Sequence, residues 1–142
     1  MGLDEARDIS VSGIRANRLQ MEIIASNLAN VQSTRSLRGG AYRRKIPIIS
    51  EQPLSFERIY EREVEQQIGG VKVVDVLDDP APPAKVYNPN HPDADQDGYV
   101  YMPNISLSQE MTDMIFVTRL YEANVNVFNA TKKMGQDTLQ IQ

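Results

Sequence analysis

The chain has 142 residues, 41% of them hydrophobic and 24% charged, with a formal charge of −4 and no cysteine. That composition suits a foldable chain of about one domain. It excludes a disulfide framework, a thiolate metal site and a cysteine nucleophile, and no apolar run approaches the roughly 18 residues of a membrane span. The averages conceal an uneven distribution: all eight prolines lie between Pro47 and Pro103. Two proline-free ends therefore flank a proline-punctuated middle. Residues 1–50 carry eight Lys/Arg against four Asp/Glu, a balance of +4, and residues 51–142 carry seven against fifteen, a balance of −8. Such asymmetry suits head-to-tail stacking of like subunits as readily as an ordinary soluble surface. The opening "MGLDEARDIS" has neither the basic start nor the apolar core of a signal peptide.

In chain order, residues 3–31 read as a helix. Val11, Ile14, Met21, Ala25 and Leu28 recur at helical spacing, with Arg18 interrupting the stripe. Gly13 weakens this helix by about 1 kcal/mol relative to alanine. It should fade in "NVQSTRSLRGG", where Ser, Thr and paired Gly favour turns. The middle is β-rich: "YRRKIPIIS" and "GGVKVVDVL" carry strand-forming residues, the second opened by a Gly69-Gly70 turn. Pro47 assigns the first to a sheet edge. "KVY" and "YVYM" read as short strands on either side of a loop, and "EQPLSFERIYEREVEQQ" as a short helix or a mobile loop.

From Ser106 onward a second helix is predicted. Ser106 stands as N-cap with Gln109 three residues on, the pattern of a capping box. Met111, Met114, Thr118, Tyr121, Val125, Phe128 and Leu139 form one heptad-like stripe; Val117, Leu120, Val127, Met134 and Ile141 form another. Helical throughout, residues 106–142 would span roughly 55 Å, which suits an arm or a filament subunit better than a compact globule.

Candidate chemistry is sparse. In "HPDADQDGYV", Asp93, Asp95, Asp97 and Gly98 match the first half of an EF-hand calcium loop. The second half fails, because Asn104 stands where a bidentate Glu is needed, and Pro103 precedes it. The stretch reads instead as an acidic turn, with a cation held by Asp93, Asp95 and Asp97 as the alternative. His91 is the sole histidine, so a zinc site or a His-based triad lacks its usual partners. No phosphate-cradling, dinucleotide or nucleophile-elbow motif is present, so neither a cofactor nor catalysis is expected. Arg35, Arg38, Arg43, Arg44 and Lys45 cluster, but with only Tyr42 near them on an acidic chain. They fit an acidic neighbouring subunit or a solvated loop, not nucleic acid. Asn27 and Asn30, three apart in "ASNLAN", suit register-setting and helix termination.

With those residues in hand, the chain resembles the flagellar axial protein family, which forms rod, hook and related structures. "IIASNLANVQST", with Gly13 upstream, is similar to the family's N-terminal signature; "MTDMIFVTRLYEANVNVFNATKKM" is similar to its terminal helix. "GGAYRRK", "GGVKV" and "HPDADQDGYVYMPN" followed by "EMTDMI" resemble the middle of the family's short proximal-rod members. The resemblance implies an α+β fold in three parts: an axial helix over 1–34, a β-rich middle over 35–104, and a second axial helix over 105–142, the helices pairing as a coiled-coil-like arm. It implies a non-enzymatic structural subunit of the basal-body rod in the periplasm, exported without a cleaved signal, transmitting torque and lining the export channel. Its partners would be copies of itself, other rod proteins and neighbouring export-gate or ring components. Interface residues are then expected at Ile14, Met21, Asn27, Leu28 and Asn30 in the first helix, and at Met111, Met114, Tyr121, Val125 and Phe128 in the second. A free-standing calcium module and a cytoplasmic coiled-coil adaptor are the competing readings.

The apolar stripes are narrow, and a large apolar side chain contributes about 1.5–3 kcal/mol only when buried. Long helices of this kind draw most of their stability from packing. Both ends are therefore expected to be largely disordered in the dilute monomer and helical on assembly. Backbone chemical shifts test this: persistent helical shifts in both termini of the monomer would overturn it.

Overall fold

The computed structural model describes residues 2–36, 39–51 and 69–140, the side chains of residues 139 and 140 excepted. The element order is α1 (Leu3–Ala29), β1 (Lys45–Glu51), β2 (Val71–Asp78), β3 (Ala84–Tyr87), β4 (Tyr99–Met102) and α2 (Leu107–Gln140). Two long helices thus frame two small antiparallel sheets, β1–β2 and β3–β4. The α+β expectation holds, and all four strands lie where propensity placed them. The charged segment at 51–67 falls, apart from Glu51, outside the described residues, as do Arg38 and Ile141; the side chain of Leu139 does too.

At the start of α1 the Gly2 N–H donates to the Glu5 carboxylate at 3.0 Å, which ties down one of the open amides of the first turn. Asn30 closes the helix, its side-chain Nδ2 donating to the Ser26 carbonyl at 2.8 Å and its Oδ1 accepting the Ser33 hydroxyl at 3.0 Å. α2 begins at Leu107, with the Ser106 carbonyl accepting the Glu110 N–H at 3.0 Å. The expected capping box does not close. Gln109 reaches forward one turn to Asp113 (2.9 Å), and the Ser106 hydroxyl pairs with that of Ser108 (3.2 Å).

The two helices run antiparallel along each other: Gly13 lies against Asn124, Met21 meets Thr118, and Asn27 meets Glu110. The buried rows mix small and polar residues with Ile23, Ile24 and Val117. On α1 the buried residues are Ser10, Gly13, Ala16, Asn17, Ile23, Ile24 and Asn27. On α2, Glu110, Val117 and Thr131 are buried, and Asn124 completes their seven-residue spacing. This differs from the apolar stripe read on α1. Ile14, Met21 and Leu28 are only half-buried and Ala25 is exposed. The physical reason is distance of approach. A Cβ on Gly13 would stand 2.8 Å from Asn124 Nδ2, so the Asn124 side chain fills the space that a side chain at position 13 would need. Gly13, a cost to an isolated helix, is what lets α2 lie close. The hydroxyls in this seam are satisfied within their own helices: Ser10 donates to the Ala6 carbonyl and Thr131 to the Val127 carbonyl, each at 2.8 Å.

The β1–β2 ribbon packs on α1. Gly70 sits so close to Ser12 that there is no room for a side chain, and the Val71 N–H donates to the Ser12 hydroxyl at 3.0 Å. Pro47, opposite Val76, leaves β1 one ladder donor short, as edge strands tolerate. A bulge between the Ile48–Asp75 and Ile49–Val73 pairs interrupts the register. The β3–β4 hairpin buries Val100 (2% exposed) and turns Lys85, Tyr87, Tyr99 and Tyr101 to its other face, with Lys85 Nζ 4.2 Å above the Tyr99 ring.

Two alanine substitutions separate a required glycine from a dispensable one. A methyl group added at Gly135, in α2, would meet nothing within 4 Å; Gly135→Ala should raise helix stability by about 1 kcal/mol. Gly70→Ala should cost about 1–3 kcal/mol by overpacking and release the Val71 N–H from Ser12. Urea titrations followed by circular dichroism, in trimethylamine N-oxide to favour the ordered chain, should move in opposite directions for the two variants.

Candidate assembly interface

The contacts that fix the helix pair and the ribbon to one another converge on one side chain. Asn27 is 1% exposed. Its Nδ2 donates to the Lys45 carbonyl (3.0 Å) and to Glu110 Oε2 (3.1 Å), and its Oδ1 accepts the Lys45 N–H (2.9 Å) and the Tyr42 hydroxyl (3.1 Å). Both donors and both lone pairs of the amide are used. The Ser26 hydroxyl sits 3.2 Å from the Tyr42 oxygen and supports the ring from the preceding position of the helix. Through this one amide, α1 holds the start of β1 and the first turn of α2.

Glu110 is fully buried, at 0% exposed. Arg44 Nε donates to Glu110 Oε1 at 2.5 Å, and Arg44 Nη2 stands 3.6 Å from Asp113 Oδ2. A buried carboxylate is costly unless paired and hydrogen-bonded; here one oxygen takes the guanidinium and the other the Asn27 amide. Its place in the first turn of α2 also sets the negative charge near the positive end of the helix dipole. Two members of the arginine cluster thus pair with acids of their own chain. Arg44 finds its acids within the chain, and so does Arg35, whose Nε lies 2.6 Å from Asp93 Oδ1.

That second ion pair explains the aspartate stretch. Asp93 Oδ2 accepts the Thr34 hydroxyl at 2.7 Å, and the Asp93 N–H donates to His91 Nδ1 at 3.1 Å. Asp95 shapes the turn: its N–H donates to the Tyr99 carbonyl (2.7 Å), and its carbonyl accepts the N–H of Gly98, whose φ is +79°. Asp93 thus clasps the hairpin loop to the segment following α1. Among the described residues no three acidic, His or Cys side chains come together as a metal would need. A shallow cavity of about 310 Å³ lies beside this clasp, lined by Thr34, Arg35, Pro92, Asp93, Val100 and Tyr101 among others.

The ten residues expected at interfaces take three positions. Asn27 is consumed by the contacts above, and Asn30 by the end of α1. Ile14, Met21 and Leu28 lie half-buried on one flank of α1, where the Thr118 hydroxyl points at Met21 Sδ, 3.7 Å away. On α2, Met114, Tyr121, Val125 and Phe128 are half-buried and Met111 is exposed. Of the second stripe, Val117 turns to α1, whereas Leu120, Val127 and Met134 face outward beside Phe116, which is 63% exposed. Sequence reasoning missed Glu110, Tyr42 and Asn17. A glutamate in a first turn reads as an ordinary helix-start residue, and nothing local marks its burial. The buried Asn17 Nδ2 has no hydrogen-bond partner.

Removing the Asn27 amide leaves the Lys45 N–H and one Glu110 oxygen without it. Asn27→Ala should therefore cost about 2–3 kcal/mol, whereas Tyr42→Phe, losing one neutral hydrogen bond, should cost about 1 kcal/mol. Arg44→Ala strands a buried carboxylate and should cost about 3–5 kcal/mol. Urea titration of the ordered chain gives the ranking, and equal effects for Asn27→Ala and Tyr42→Phe would refute the central place of the amide.

Comparison with known proteins bears on both ends and on the whole. A family model described as flagella basal body rod protein matches residues 8–35, and one described as flagellar basal body rod FlgEFG protein C-terminal matches residues 96–141. The flagellar basal-body rod protein FlgC of Borreliella burgdorferi is 37% identical over 149 aligned positions, covering 99% of this chain and 98% of the relative. That of Bacillus subtilis is 37% identical over 141 positions, covering 94% of each. That of Salmonella typhimurium is 36% identical over 141 positions, covering 99% and 98%. Spanning almost the full length of both partners in each comparison, these likenesses show that the chain belongs to the flagellar basal-body rod protein FlgC family.

Proposed function

We propose that this chain is a structural subunit of the proximal rod, polymerising through α1 and α2 to transmit torque between motor and hook and to line the export channel. The observation that carries the reading is the unpartnered apolar surface of α2: Met111, Ile115, Phe116, Leu120, Val127 and Met134 are all exposed in the single chain. Monomers do not normally keep so much apolar side-chain surface along one helix unless something covers it. Torque calls for many repeated contacts that resist shear, which long helices with interlocking side chains supply.

The neighbours in this reading are copies of the same chain, other rod proteins, and export-gate or ring components at the inner end. The site is the periplasm, reached without a cleaved signal. The three-part division at 34/35 and 104/105 gives the helices the axial role and the two small sheets the outer one. Ile14, Met21, Leu28, Met111, Met114, Tyr121, Val125 and Phe128 serve as the packing residues of the arm, with Asn27 and Asn30 setting register. The role is architectural, and no step of it calls for a cofactor or a catalytic group.

Fractionation tests the reading. The chain should be recovered with detergent-washed basal bodies; an exclusively cytosolic protein would refute it and favour an adaptor. Phe128→Ala should reduce rod assembly while leaving the subunit secreted, and normal rods with that variant would show that the packing stripe is misplaced.

A further inference from the structure

Rows of matching spacing lie on two opposite sides of the helix pair. On one side, Ile14, Met21 and Leu28 of α1 run beside Met111, Thr118 and Val125 of α2. The Thr118–Met21 contact at 3.7 Å shows that these rows share a face. Both repeat every seven residues and span fourteen, about 21 Å at 1.5 Å per residue. The furrow that any two packed helices leave where they meet runs between these rows. On the other side, Leu120, Val127 and Met134 form a third row with the same spacing and the same length. Leu120 stands two residues beyond Thr118, about 200° round the helix. The row is 39–57% exposed. The ribbon is on this second side as well. Ser12, which it touches, stands nine residues from Met21, about two and a half turns. Among the described residues the ribbon packs on α1 and leaves α2 uncovered.

We propose that the Leu120–Val127–Met134 ridge of one subunit seats in the Ile14–Met21–Leu28 / Met111–Thr118–Val125 furrow of a second copy of the same chain. This rests on the reading of the chain as a polymerising subunit. Matching period and length are what ridge-in-groove packing needs, and both halves of the match belong to this one chain. Ridge and furrow are different surfaces, so each contact leaves a free ridge on one copy and a free furrow on the other. Such a head-to-tail contact adds copies one after another, into a ring or an open series as the rotation between them dictates. Met21 and Val127 are the midpoints of their rows, so they meet whichever way the second copy runs.

The absence of native cysteine makes a disulfide test clean. The full chain carrying Met21→Cys and Val127→Cys together replaces the wild type in cells, and isolated basal bodies are oxidised. A ladder of multimers of this chain is expected, with neither single variant giving one. Basal bodies that contain the double variant without a ladder would overturn the proposal. So would dimers from Val127→Cys alone, which mark a like-to-like contact, or bands joining the chain to a different rod protein. If the double variant is not incorporated, Thr118→Cys with Val127→Cys, which takes the furrow residue from α2, is read the same way. Wild-type chain missing from basal bodies is a separate result, and it would sink the rod reading itself.

Discussion

One amide joins the two helices to the start of the β1–β2 ribbon. Asn27 bonds through both donors and both lone pairs, and its partners come from the turn after α1, the start of β1 and the first turn of α2. Such a group cannot slide by a residue without leaving several buried polar atoms unsatisfied, and it is worth more as a register pin than as a source of net stability. Glu110 and Arg44 extend the same junction. Because the carboxylate is buried, the guanidinium must be present, and the chain between α1 and β1 must follow the path that delivers it. Asp93 with Thr34 and Arg35 repeats the device further out, where the pair is more exposed and correspondingly weaker.

What the described residues lack is a large apolar interior. Among the described residues the buried hydrophobics are Ala16, Ile23, Ile24, Val100 and Val117. The seam between the helices is instead lined by Ser10, Gly13, Asn17, Asn124 and Thr131, and the Asn17 amide goes unanswered there. Specificity within one subunit is polar, while the apolar rows point away from the seam. Over so thin an interior the helices gain little from apolar burial within the chain.

How far this was legible in the sequence follows from the same division. Strand and helix positions were readable because local propensity, glycine pairs and proline punctuation all agreed. Heptad spacing was readable too, but not which row faces which partner. The apolar rows through Ile14 and Met111 drew attention, whereas the buried rows of one chain mix small and polar residues with Ile23, Ile24 and Val117. A rule that seeks large side chains passes over a seam built for close approach. Gly13 looked like a local cost because its compensation, Asn124, lies far away in sequence. Arg44 looked available to a neighbour because the burial of Glu110 arises only when three segments meet. Asn27 was legible as a register residue, though its partners were not.

The ribbon adds a constraint of another kind. A two-stranded sheet has two open edges, and open edges invite further strands. Here β1 lacks a backbone donor at Pro47, and the ladder is thrown out of step next to Ile49. A strand arriving at this ribbon would find no flat, regular template. Two copies of the chain brought together are thereby discouraged from joining sheet to sheet, the route that leads to disordered fibres. Irregular strands of this kind resist edge-to-edge pairing, which leaves the two long helices as the regular surfaces among the described residues.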